Sequence, residues 1–134
     1  MGAQDAVTRE LIVHTSRTKR SADFVALLAA IESRFGPRPG APVVLVLDNG
    51  PIHTSKLTTQ ALAARPWITI EWLPKYAPEL NDIELAWRDL KQHYLAHRTF
   101  ADANNLEATI HHSVSDMNRE RANLLSCDSL RIAA

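Results

Sequence analysis

Apolar residues along this chain fall into blocks whose spacing changes from one block to the next. Leu11–Thr15 (LIVHT) is short and β-branched, which predicts a strand. The residues before it, Gly2 to Glu10, are polar with one small apolar patch and predict the turn of a hairpin. Phe24, Leu27, Leu28 and Ile31 recur at helical spacing, and Ser21 is placed as the N-cap. Gly36, Pro37, Pro39, Gly40 and Pro42 end that helix in a stiff connector. Val43–Leu47 is an unbroken apolar run, as in strands buried on both faces. Thr54 or Ser55 caps a short helix to about Ala64, and Pro66 breaks it. Trp67–Leu73 is the next strand. Pro74 to Asn81 is a loop framed by Pro74 and Pro78. Asp82 is placed to cap a helix carrying Ile83, Leu85, Ala86, Leu90, Tyr94 and Leu95. A last helix runs from Ala101 to about Leu125, with Leu106, Ile110, Val114 and Met117 on one face.

The predicted order is β–α–β–α–β–α–α. Strands alternating with helices imply an α/β fold with a largely parallel sheet and helical crossovers. Sites in such sheets lie at the carboxyl ends of strands, and Asp48 stands there after Val43–Leu47.

A length of 134 residues fits one domain, and 46% hydrophobic with 22% charged residues is globular composition. Fifteen basic and fifteen acidic residues balance, so overall charge gives no argument for nucleic acid. A local patch still attracts phosphates. Arg17, Lys19 and Arg20, extended by Arg34 and Arg38, form either such a patch or a solvated face. The single cysteine, Cys127, excludes an internal disulfide framework and a Cys-rich zinc site. No apolar run approaches the roughly 20 residues that span a bilayer, and the N-terminus lacks a signal-peptide core. The expectation is a cytoplasmic protein with no membrane partner.

Two acidic residues carry the candidate chemistry. Asp48 ends a strand, Glu84 opens a helix, and 35 residues intervene. Carboxylates delivered from element ends suit a hard divalent cation, and paired cations drive phosphodiester chemistry. Taken singly, each has a plain reading: Asp48 starts an Asp-Asn-Gly turn, and Glu84 favours the helix dipole. His53 either orients a phosphate or caps the following helix. His14 reads as structural. His111 and His112 are adjacent and point apart. His93 and His97 are spaced i, i+4 but lack a third ligand, so a solvated helix face is the better reading. Trp87 and Lys91 share roughly one face with Glu84. Trp87 reads as packing beside the site. Lys91, like Lys75 and Tyr76 in the proline-framed loop, is a candidate DNA contact. Asn49 and Asn81, flanking the acidic pair in sequence, are candidate supports.

Three stretches carry a resemblance: GAQDAVTRELIVHTSRTKRSADFVALLAAI, VLVLDNGPIH and LPKYAPELNDIELAWRDLK. Together they resemble the catalytic domain of DDE transposases, in the bacterial insertion-sequence branch of the mariner-type superfamily. The similarity spans about Gly2 to Leu125. It implies a ribonuclease H-like fold, a mixed sheet with flanking helices, and two-metal DNA cleavage and strand transfer at transposon ends. Asp48 then corresponds to the second acidic ligand and Glu84 to the third, holding Mg²⁺ or Mn²⁺. The implied partners are DNA (transposon ends and target) and a homo-oligomer or complementary transposase chain. Asp82 stands where the family often has proline, which suits a helix cap; a metal role for Asp82 is the lesser reading. The family's first catalytic aspartate lies on a strand upstream of the stretch that opens this sequence, and neither Asp5 nor Glu10 substitutes for it. The expectation is one partial catalytic domain over residues 1–134, N-terminally truncated, with impaired activity. The alternative is a non-catalytic module that pairs with a complementary or full-length chain.

Overall fold

The computed structural model describes residues 1–37, 40, 42–74 and 81–130, the last four by backbone alone. The elements run β1 (Gly2–Gln4), β2 (Leu11–Val13), α1 (Ser21–Phe35), β3 (Val43–Leu47), α2 (Lys56–Ala63), β4 (Ile68–Trp72), α3 (Ile83–Asp89), a π-helical segment (Leu90–Leu95) and α4 (Ala103–Leu130). Contacts gather into two compact units: His14–Asp82 with Met1, and Gly2–Val13 with the chain from Ile83 on.

In the first unit, α1 buries Phe24, Leu27, Leu28 and Ile31, the stripe its spacing predicts. Its cap differs from expectation. Ser21 is already helical, and the carboxylate of Asp23 does the capping, accepting the Arg20 N–H at 2.7 Å and the Thr18 hydroxyl at 2.8 Å. His14 is structural here, with Nε2 3.8 Å from Asp23 Oδ1. The Asp23 carboxyl is held down to about 2, first by the Arg20 backbone bond and then by the Ser16 and Thr18 hydroxyls. Helix α1 packs on α2, and the Arg65 guanidinium holds Glu32 Oε2 at 2.8 and 3.0 Å.

β3 and β4 pair in parallel, Val43 opposite Ile68 through Leu47 opposite Trp72. Val43 N–H donates to Trp67 C=O, and Leu73 N–H donates to Leu47 C=O. In that register the backbone groups of Val43, Leu45 and Leu47 face β4, while those of Val44 and Val46 face the opposite edge. The side chains of Val44 and Val46 are 57% and 53% exposed. The strand is therefore covered on one face, not on both.

In the second unit, β1 and β2 form an antiparallel hairpin. The sequence pattern predicts a turn over all of Gly2–Glu10. Gly2–Gln4 is instead a strand, and β2 stops at Val13. The turn is tied by Asp5, whose Oδ1 accepts the Val7 and Thr8 N–H groups at 2.8 and 2.7 Å. Gly2 is required by close approach: a Cβ there would sit 2.7 Å from the Trp87 ring and 2.8 Å from the Ile12 carbonyl oxygen. Leu11, Ala86, Leu90, Val114 and Met117 make the core, with Trp87, Tyr94 and Ile110 packed against it. Asn118 on α4 clasps the backbone of Leu11. Its Oδ1 accepts the Leu11 N–H at 2.8 Å, and its Nδ2 donates to the Leu11 carbonyl at 2.9 Å.

Two further helix boundaries differ from expectation. The helix after Asp82 leaves α geometry at Leu90 and widens into the π segment. The last helix starts at Ala103, with Asp102 Oδ1 accepting the Asn105 N–H at 2.8 Å, and continues to Leu130. The described strands form two separate two-stranded sheets, β1–β2 antiparallel and β3–β4 parallel, so the architecture is mixed rather than largely parallel.

Candidate functional site

Asp48 follows β3 directly, and its side chain is 58% exposed. The loop behind it is tied at several points. Gly50 N–H donates to Asp48 Oδ1 at 2.9 Å, and His53 N–H donates to the Gly50 carbonyl at 2.9 Å. Asn49 Nδ2 donates to the Leu73 carbonyl at 2.8 Å, fastening the loop to the residue after β4. Ser55 caps α2 by accepting the Thr58 N–H. The fully buried Thr58 donates its hydroxyl to the Ile52 carbonyl. These bonds make the Asp48–Ser55 stretch a braced loop at the carboxyl end of a parallel strand.

His53 does not cap the following helix. Ser55 provides the cap, and the imidazole turns back on Asp48. Its Nε2 lies 3.4 Å from Asp48 Oδ1, and its side chain is only 15% exposed. The Phe24 ring meets it edge-on, centroids 4.5 Å apart at 79°. Nδ1 is buried with no hydrogen-bond partner among the described residues. Burial pushes the imidazole below the usual histidine range; Asp48 opposes that shift, and Lys19 adds to it.

In the second unit, Glu84 lies in the first turn of α3 and is exposed. Asp82 and the half-buried Asn81 immediately precede that helix. Trp87 packs on the core, as its spacing implies. Lys91 is exposed within the π segment. Lys75, Tyr76, Arg38 and Pro78 lie outside the described residues. The His93–His97 pairing dissolves: His93 is in the π segment, 3.7 Å from Asp89, while His97 is past its end at a φ of 59°. His112 faces Asp116 at 3.4 Å. Among the described residues, no group of three or more His, Cys, Asp or Glu side chains is placed to hold a metal. A cavity of about 310 Å³ in this unit is lined by Gln4, Arg9, Arg88, Asp89 and Arg121, and Glu84 is not among its lining residues. No described helix is long and apolar enough to cross a membrane.

Asn49, Thr58 and Asn118 illustrate what the sequence hid. Asn49 is a visible turn residue, but its partner Leu73 is on another strand end. Thr58 has no signal beyond its place three residues after the Ser55 cap. Asn118 bonds a residue 107 positions away.

The elements and their order are those of a ribonuclease H-like fold, and a solved structure shares them. One chain of the simian T-cell lymphotropic virus intasome in complex with PP2A regulatory subunit B56 gamma matches with a TM-score of 0.64. That match covers 81% of this chain and 39% of the other at 17% identity, a likeness of fold. Residues 1–107 match the DDE superfamily endonuclease family, and the chain belongs to it. Two relatives agree. The insertion element IS630 uncharacterized 39 kDa protein of Shigella sonnei is 29% identical over 89 residues, 66% of this chain. The uncharacterized protein y4pE/y4sA of Sinorhizobium fredii is 34% identical over 67 residues, 50% of this chain. The matched regions span 25% and 47% of those two proteins.

Proposed function

We infer that this chain carries catalytic acidic residues of a transposase- or integrase-type DNA strand cleavage and transfer reaction. The observation that carries the reading is Asp48: an exposed carboxylate on a braced loop at the carboxyl end of a parallel strand, in a chain of the DDE family. Glu84, exposed at the start of α3, is the second ligand. Both offer hard oxygen donors, the chemistry that Mg²⁺ or Mn²⁺ requires. When bound, a pair of such ions activates the attacking oxygen and stabilises the leaving one. The residues themselves present and orient carboxylate oxygens: Gly50 fixes one oxygen of Asp48, Asn49 anchors the loop, and Trp87 seats α3 on its core. Lys91, with Lys75 and Tyr76, supplies DNA contacts. Residues 1–134 are read as one partial catalytic domain. The isolated chain has low activity, since only two acidic ligands are assigned to the site. The test is calorimetric Mn²⁺ titration beside a DNA-nicking assay, with Asp48→Ala and Glu84→Ala. Binding abolished by both substitutions supports the reading; binding indifferent to both sinks it.

A second reading, pairing with a complementary or full-length transposase chain, draws support from β3. Its outer edge is unpaired among the described residues, and Val44, Val46 and Trp72 are exposed. Parallel strands are ordinarily covered on both faces, and an open edge accepts a further strand. Sedimentation of the chain alone and with a longer family member tests it. A chain that stays monomeric in both mixtures rules this reading out.

A further inference from the structure

We propose that His53 is a positioning residue. With Gly50, it clamps Oδ1 of Asp48 so that Oδ2 alone is presented outward for a ligand. This rests on the reading of Asp48 as a metal-binding carboxylate.

Three observations converge on one oxygen. Gly50 N–H reaches Oδ1 at 2.9 Å. His53 Nε2 approaches the same Oδ1 at 3.4 Å. A Cβ on Gly50 would stand 2.8 Å from that oxygen and 3.3 Å from His53 Cδ2, so the position has room only for glycine while the carboxylate keeps this orientation. The Asp48 side chain is otherwise free to turn, being 58% exposed. A free carboxylate spends much of its time in other rotamers, and fixing it before a ligand arrives removes that ordering cost. Groups that orient a metal-binding carboxylate act in this way, typically worth about 10- to 100-fold in metal affinity.

The imidazole is itself fixed. Phe24 meets it edge-on, its side chain is 15% exposed, and its backbone N–H closes the turn on Gly50. The two ring nitrogens have unlike surroundings. Nδ1 is buried with no hydrogen-bond partner among the described residues, so a proton there would be stranded. The proton therefore sits on Nε2, the nitrogen that faces Asp48, and Nδ1 keeps its lone pair. With its proton on Nε2, the ring faces Oδ1 at 3.4 Å and confines that oxygen.

The test pairs metal affinity with ring spectroscopy on the full chain. Nitrogen-15 spectra of metal-free protein read the His53 tautomer directly, and Mn²⁺ calorimetry reads the consequence. The expected results are a protonated Nε2 and a bare Nδ1, with both signals moving in Asp48→Ala. His53→Phe, which keeps the ring contact with Phe24 and lacks the donor, binds Mn²⁺ about 10-fold more weakly. His53→Gln, whose amide nitrogen reaches the same place, stays within about threefold of wild type. Gly50→Ala weakens binding like His53→Phe. A proton on Nδ1 overturns the proposal, as does His53→Phe binding Mn²⁺ as tightly as wild type. If wild type binds no Mn²⁺, the metal reading falls by itself. The His53 signals then decide the clamp: movement in Asp48→Ala upholds it, and unmoved signals overturn it.

Discussion

Replacing Asn118 with alanine is the sharpest test of how the hairpin unit is held. The side chain makes two bonds to one residue, at 2.8 and 2.9 Å, and Leu11 is 1% exposed. Each bond contributes about 1 kcal/mol net, and a buried backbone group left without a partner costs about 1–3 kcal/mol. Water reaching one of the two groups lowers the sum, so the expected loss is about 2–4 kcal/mol. The assay is urea unfolding combined with hydrogen exchange at the Leu11 amide. Exchange through opening of the unit should accelerate about 30-fold or more. Asn118→Asp separates the two bonds. It keeps an acceptor for the Leu11 N–H but sets a carboxylate against the Leu11 carbonyl, so stability falls while the amide stays protected. A Leu11 amide that exchanges at the wild-type rate in Asn118→Ala would refute the clasp.

Further expectations follow from packing and titration. Leu28→Ala, at a side chain with no exposure, should cost about 2–5 kcal/mol in a urea titration. Gly2→Ala forces a methyl against Trp87 and the Ile12 carbonyl; the expected loss is about 1–3 kcal/mol, with a shifted Trp87 side-chain resonance. Asp23 titrates at about 2 when folded, below its unfolded value, so its stabilising effect is present above pH ~4 and fades from there toward pH ~2. Asp23→Asn should flatten that acid limb, seen as a smaller drop in Tm across the window. Tyr94 is pushed up to about 12, chiefly by its bond to Glu120. Its stabilising contribution is therefore intact below pH ~10 and is lost as pH rises through about 12. In Glu120→Gln, tyrosinate absorbance should appear at lower pH.

The legible parts of the fold were those whose signal is local. The α1 stripe, the Ser55 cap and the β3 run each follow from a few neighbouring residues, and Asp48 follows from the end of that run. The π segment was not legible, because apolar residues spaced four or five apart look alike over six positions. The β1 strand was hidden by its three-residue length and by a glycine that weakens strand propensity; what demands glycine there is Trp87, far along the chain. The site divided in the same way. Asp48 and Glu84 stood out through their spacing and the motifs around them. The turn of His53 toward Asp48 depends on Phe24 packing from a different helix, which no local pattern encodes.

The second unit is assembled from the two ends of the described chain, and this sets an order of events during synthesis. Residues 14–82 leave the ribosome as one run and, with Met1, form one compact unit. The β1–β2 hairpin emerges earlier but has little of its own to bury. Its core partners Leu90, Val114 and Met117, and the Asn118 clasp, are made later. A two-stranded hairpin is marginal in water by itself. Residues 2–13 are therefore made well before their core partners, and they wait as an exposed strand pair while the middle of the chain folds. In a cell, that interval is when this protein is most open to a chaperone, a protease or a strand from another molecule.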